Sequence, residues 1–193
     1  SQSLVAYGGG RVIDTAKAAN ILFTLGDSGS MARLYMPDGI SGWTSYVGFK
    51  NHLCNTIYYN PAITYVAPKN ADGTNFADAP FNNAQNDGFD SGSGTTNLNT
   101  SFRAHGGDTS QAAYYYRWNG AAAPSQTQCQ LAGSSVATHT AGTAPNTFTK
   151  VQVSTTSGPG STDERQNFAN WYAYYRTRLQ MMKSATGRAF VGI

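Results

Sequence analysis

Ile21-Leu22-Phe23-Thr24-Leu25-Gly26-Asp27-Ser28-Gly29-Ser30-Met31 is a continuous apolar run that stops at a cluster of oxygen-bearing side chains. An unbroken apolar run of this length, bounded by Gly and Ser, is the pattern of a strand buried on both faces. The stretch therefore predicts a strand over 21–26 in an α/β fold. Asp27, Ser28 and Ser30 follow at its end. Oxygen donors at the carboxyl edge of a parallel sheet suit a hard divalent cation, so these three are the candidate metal ligands.

Outward from this segment the chain divides by composition. Residues 1–20 include Gly8-Gly9-Gly10 and show no strong periodicity, which predicts a leader carrying at most one short strand. From Tyr35 to Gly160 the sequence is rich in Gly, Asn, Ser and Thr with scattered aromatics and no helical stripe. Short irregular strands and long loops are expected there. The last segment is different. Ser161-Thr162-Asp163-Glu164 has the spacing of a capping box. Phe168, Trp171, Tyr172, Tyr175, Leu179, Met182, Thr186, Ala189 and Phe190 then recur at intervals of three and four. That spacing predicts one long amphipathic helix over about 162–190, with Arg165, Arg176, Arg178 and Lys183 mainly off its apolar face. An aromatic stripe of this kind is read as core packing.

With 193 residues the chain fits one domain, or one domain with a large insertion. Only 12% of residues are charged, against about 25% in an average soluble protein. Hydroxyl and amide groups must therefore do much of the work of solvation, a composition familiar in secreted and filament-associated proteins. The net charge of +3 has no basic stripe behind it, and nucleic acid is not expected as a partner. No apolar run approaches the roughly 20 residues of a membrane-crossing helix. Two cysteines, Cys54 and Cys129, form either a disulfide closing a long loop or two unpaired thiols.

The blocks ILFTLGDSGSM, RLYMPDGISG, IYYNPAITYVAP, LNTSFRA and DERQNFANWYAYYRTRLQMMKSATGRAF, in this order, resemble the amino-terminal part of the PilY/PilC-type proteins. These are exported proteins of bacterial type IV pili, regarded as tip-associated adhesins and assembly factors. The resemblance places the blocks at the start of a von Willebrand factor A-like domain. It implies a partial domain over 21–193, with the strand at 21–26, an insertion over about 35–160 and the helix over about 162–190. The remaining strands are expected from further sequence of the same protein or from another chain. Such an insertion is expected to be surface-built and to carry the partner-binding residues, within Tyr35 to Gly160.

The resemblance also bears on the metal. An A-type adhesion site has Asp-x-Ser-x-Ser, and Gly26 stands here where the first Asp is expected. Ser28 and Ser30 match the two neutral ligands. Loss of the carboxylate removes charge that offsets the dehydration of Mg²⁺. No cofactor is expected beyond Mg²⁺ or Ca²⁺ at this incomplete site. Asp27 substitutes only if the backbone turns it inward, since neighbouring strand residues face opposite ways.

Other motifs carry less. Asn86-Asp87-Gly88-Phe89-Asp90-Ser91-Gly92 lacks the ligand spacing and terminal Glu of a calcium loop and is read as a turn. His52, His105 and His139 have no metal-ligand spacing. Neither a nucleophile elbow nor a carboxylate pair is legible, and an enzyme is not expected. The implied role is extracellular adhesion and pilus assembly by protein or surface binding, at the pilus tip or the outer membrane. Minor pilins, the rest of the same protein, and a host or abiotic surface are the partners it implies. The alternative is a structural subunit of a bacterial surface filament or layer, since low charge opposes close packing of copies only weakly.

Overall fold

The computed structural model describes residues 26 and 28–189, together with the backbone of 5–8 and 11–14. β1 (Val5–Gly8) and β2 (Arg11–Asp14) pair antiparallel as a hairpin, with Gly8 opposite Arg11. The segment predicted as a leader thus holds two strands. The strand expected over 21–26 lies outside the described residues except for Gly26, which is exposed and in no strand.

From Ser28 the chain runs through 3-10 turns at Gly29–Ala32, Asp38–Ile40 and Val47–Lys50. Two short strands, β3 (Ala84–Gln85) and β4 (Thr95–Thr96), form a two-stranded ladder. β5 (Tyr114–Trp118) follows, then the single turn of helix α1 (Gln126–Cys129), β6 (Thr140–Thr143) and β7 (Asn146–Gln152). The latter strands make a three-stranded sheet in the order β5-β7-β6. Aromatic Tyr114, Tyr115 and Tyr116 suit a pleated, half-buried surface and are all buried. Gly142 in β6 has φ of 106°, and a Cβ there would lie 2.5 Å from the carbonyl oxygen of Asn146. Only glycine fits that turn.

Every ladder among the described residues is antiparallel. The helix of the resemblance was expected on a mainly parallel sheet. β6 and β7 join through a two-residue hairpin, and β5 and β6, which the longer connection through α1 separates, both pair with β7 between them. The fold is a mixture of helices and small sheets.

The long helix is two helices. α2 (Arg165–Tyr174) ends at Tyr175, and α3 (Arg178–Ala189) starts after Thr177. The break has a local cause. The Thr177 hydroxyl accepts from the backbone N–H of Gln180 at 3.1 Å, and the Gln180 side chain accepts from the N–H of Thr177 at 3.0 Å. This reciprocal pair is a capping box that opens a new helix. The box predicted at Ser161–Glu164 does not form. Ser161 sits at φ of 61° behind Gly160, and Glu164 turns inward with no cap bond.

Helix α2 is buried from Phe168 through Tyr174 on all sides. The Phe168 ring lies 4.8 Å from Tyr59 and 5.4 Å from Phe102. Trp171 lies 5.0 Å from Tyr58, and its indole N–H donates to the carbonyl of Ile57 at 3.0 Å. The segment 35–160 therefore supplies the walls of the core around α2 and is not a surface addition. α3 behaves differently. It buries Gln180 and Ser184, while Leu179, Met182 and Thr186 on the predicted apolar face are half-buried and Ala189 is exposed.

Cys54 and Cys129 form a disulfide that spans 75 residues and joins the loop after Val47–Lys50 to the end of α1. A closed loop of that size limits the unfolded chain by roughly 2–4 kcal/mol. Packing beside it is close. A Cβ on Gly48 would come within 2.5 Å of the Cys129 carbonyl oxygen; beside α2, one on Gly88 would come within 2.1 Å of the Tyr174 ring.

Burial raises the phenols of Tyr59, Tyr114 and Tyr115, with Glu164 adding to the first and third and Asp108 to the second. Unfolded tyrosines ionise near pH 10. The stability these groups contribute is thus complete below about pH 10 and lost as the pH rises above it. The urea midpoint is expected to fall progressively above about pH 10, while tyrosinate absorbance of the native protein lags behind that of the unfolded chain. Full tyrosine titration without unfolding would contradict this.

Candidate functional site

A cleft of 680 Å³ opens along the amino-terminal half of α2. One wall is the segment Pro61–Val66, the other is the helix face of Gln166, Asn167 and Asn170, and the loop around Pro159–Asp163 closes one end. These walls are far apart in sequence. What holds them is a set of side-chain amides.

Asn167 accepts from the backbone N–H of Tyr65 at 2.7 Å and donates to the Ile63 carbonyl at 2.8 Å and the Tyr59 hydroxyl at 3.1 Å. Asn170 accepts from the N–H of Ala79 at 2.9 Å and donates to the Tyr65 carbonyl at 3.0 Å and to Asp78 at 2.9 Å. Gln166 donates to the Ala79 carbonyl at 2.9 Å. Loops that would otherwise bury bare peptide groups are satisfied by the helix instead.

The end of the cleft is fixed by Glu164, which is 3% exposed. One of its carboxylate oxygens accepts from the Tyr59 hydroxyl at 3.0 Å and the Tyr115 hydroxyl at 3.5 Å. The other accepts from Ser157. Negative charge at this position also meets the amino-terminal end of α2, where the helix dipole favours it. Asp163 is held by Arg165 in a surface ion pair at 2.7 Å.

With the amides and Asp163 committed to internal bonds, the cleft offers an apolar lip over a polar floor. Ile63 and Val66 are 49% and 40% exposed. Such a surface suits contact with another molecule.

The candidate metal ligands give a smaller result. Ser28 and Ser30 are exposed, with their hydroxyls 2.8 Å apart and bonded to each other. Asp27 lies outside the described residues. Among the described residues no three His, Cys, Asp or Glu side chains converge on a metal position. The Asn86–Gly92 segment forms turns, in which Asp87 and Asp90 accept from the N–H groups of Phe89 and Gly92. His105 meets Asp108 at 3.3 Å.

The amide set was not singled out from sequence, although a signal exists. Asparagine is a poor residue for a helix interior, because its side chain competes for backbone groups. Asn167 and Asn170 inside an aromatic helix therefore point to partners elsewhere in the fold.

Over 91% of its length the chain is 34% identical to a protein of Pseudomonas aeruginosa strain PAO1 named type IV pilus biogenesis factor PilY1. The proteins of the same name in strains UCBPP-PA14 and PAK are 35% and 30% identical over the same share. The chain spans about 15% of the length of these relatives. The resemblance read from the five sequence blocks is thus borne out, for a PilY1-type segment. No family model matches the chain, and no solved structure matches it. Among the described residues no helix is long and apolar enough to cross a membrane.

Replacing Asn170 by Ala leaves the Ala79 N–H and the Tyr65 carbonyl without partners in a buried place. Asn170→Ala is expected to lower stability by about 1–3 kcal/mol, read from the urea midpoint. A change within experimental error would mean that water takes over both groups.

Proposed function

We propose that this chain, a segment of the PilY1 type, is an extracellular binding module of type IV pilus assembly that works at the pilus tip by protein or surface contact and without turnover. The observation that carries the pilus assignment is the similarity to the named biogenesis factors over 91% of the chain. The cleft along α2 supports the mode of action. Its polar floor is spent on internal bonds, and its lip leaves Ile63 and Val66 free to be covered by a partner such as a minor pilin or a host or abiotic surface. A disulfide closing a long loop favours an oxidising compartment, which agrees with export.

The von Willebrand A-like assignment belongs to the same reading. In support of it, α3 lies beside the turn Gly29–Ala32 that follows the serine cluster, with the N–H of Arg178 donating to the carbonyl of Arg33 at 3.2 Å. The half-covered Leu179 and Met182 give that helix an apolar side for further strands.

The test uses the full-length protein in a piliated bacterium. Ile63→Glu combined with Val66→Glu changes two exposed positions, where substitutions move stability by only about 0.5 kcal/mol. Surface attachment is expected to fall by about tenfold, equivalent to about 1.4 kcal/mol of lost contact, with the exported amount of the protein unchanged. Attachment and pilus number at the wild-type level, with the protein present on the pili, would overturn the cleft as the contact.

A further inference from the structure

On a different side of α2, beyond the amide face, Arg176 follows the last helical turn and lines a second cavity of 290 Å³ together with Arg103, His105, Ser101, Thr96 and Tyr172. The Arg176 guanidinium carbon lies over the Tyr172 ring, 3.9 Å from its centroid, and Nη2 donates to the Asn86 carbonyl at 2.9 Å. Its Nε is buried and has no hydrogen-bond partner at all. Burial presses its basicity down, although Tyr172 and Asp87 act in the other direction. Among the described residues the ion pairs are His105–Asp108, Arg165–Asp163 and Arg178–Asp38, so neither Arg176 nor Arg103 has an acidic partner. Asp87 acts on the charge from outside ion-pair distance, and its carboxylate is already accepting from Phe89.

A guanidinium buried without an anion is costly, because desolvation is not repaid by a charge-assisted bond. Here the cost falls at the wall of an open cavity that carries a second, exposed arginine and the hydroxyl of Ser101. The Asn86 carbonyl and the Tyr172 ring hold the Arg176 guanidinium in place, which preorganises it.

We propose that this cavity is a binding site for a compact oxyanion, a carboxylate, sulfate or phosphate group, received by Arg176 and Arg103, which both line it. Planar, two-point recognition is what a fixed guanidinium does best with such groups. The site is separate from the cleft lined by Ile63 and Val66 and does not rest on the reading given to that cleft.

The test follows the Arg176 Nε–H resonance of the disulfide-intact protein during titration with inorganic phosphate, sulfate and acetate, each against chloride at matched ionic strength. A saturable shift of that resonance with at least one oxyanion, and none with chloride, is expected. The ranking of the three probes shows whether the site prefers a carboxylate or a tetrahedral anion. Arg103→Ala, at an exposed position that leaves the fold intact, is expected to weaken the same titration by about tenfold. Arg176→Lys keeps the charge and removes the fork, and is expected to abolish the oxyanion preference. No shift with any oxyanion, a shift equal to that of chloride, or a titration unchanged by Arg103→Ala would each overturn the proposal.

Discussion

Burial of backbone is the constraint on which this structure depends, and helix α2 resolves it. Long irregular segments normally stay at the surface, because their peptide groups lack partners inside. Here the loops over 57–66 and 77–98 run against a helix that is buried nearly all round, and they do so because α2 presents polar groups in the right places. The Trp171 indole reaches Ile57, Asn167 and Asn170 reach Tyr65, and the Tyr174 hydroxyl reaches Ala77 at 2.7 Å. Each of these bonds spans roughly a hundred residues of sequence, so the helix orders the loops beyond what the short β3–β4 ladder supplies.

The same logic recurs away from α2 and changes the meaning of the composition. Hydroxyl and amide groups do keep a weakly charged surface in solution, but many of them point inward. Asn51 and Asn55 are buried, and they donate to the carbonyls of Tyr116, Leu34 and Phe49. The Tyr58 hydroxyl donates to the Tyr114 carbonyl at 2.9 Å. Lys150 is buried over the Tyr114 ring and donates to the carbonyls of Ser135 and Val136, with its pKa lowered to about 8 mainly by desolvation. An interior built in this way uses tyrosine and asparagine where another protein would use leucine. Aromatic bodies provide the apolar area, and their polar tips settle the surrounding peptide groups.

The legible part of the fold was the part written in apolar spacing. Phe168, Trp171 and Tyr172 marked a helix and a core, and both are present. The break after Tyr175 was hidden, because the three-and-four spacing runs on through Leu179 and Met182 across it. Its signal lay in a different register. Thr177 and Gln180 carry a capping box, as do Ser125 and Gln128 at α1, where the reciprocal bonds are 3.3 and 2.7 Å. Ser161 and Glu164 have the same spacing and form none, because Tyr59, Tyr115 and Ser157 draw the carboxylate into the interior. A local motif predicts its own geometry only when no distant group competes for the same atom, and three hydroxyls compete here. The cleft walls were illegible for the same reason, since Asn167 and Asn170 act only on residues far from them in sequence.

The enclosure of α2 also bears on what the segment 35–160 is. An insertion that decorates a finished domain can be removed without exposing a core, whereas Tyr58, Tyr59 and Phe102 cover Phe168 and Trp171, with Tyr114 and Tyr115 packed behind Phe102 and Tyr59. Removing them would expose the aromatic face of the helix to water, with the loss of some of the largest buried side chains in the protein. Cys54 and Cys129 both lie inside this segment, and their disulfide is buried in the same cluster as Phe168 and Trp171. Segment and helix therefore form one cooperative unit, with α2 as its centre and α3 at its margin. The two cavities along α2 differ for a reason that follows from this. Amides beside Tyr65 and Ala79 are consumed in building the unit, while Arg176, two residues past the last buried residue of α2, has no acidic partner among the described residues.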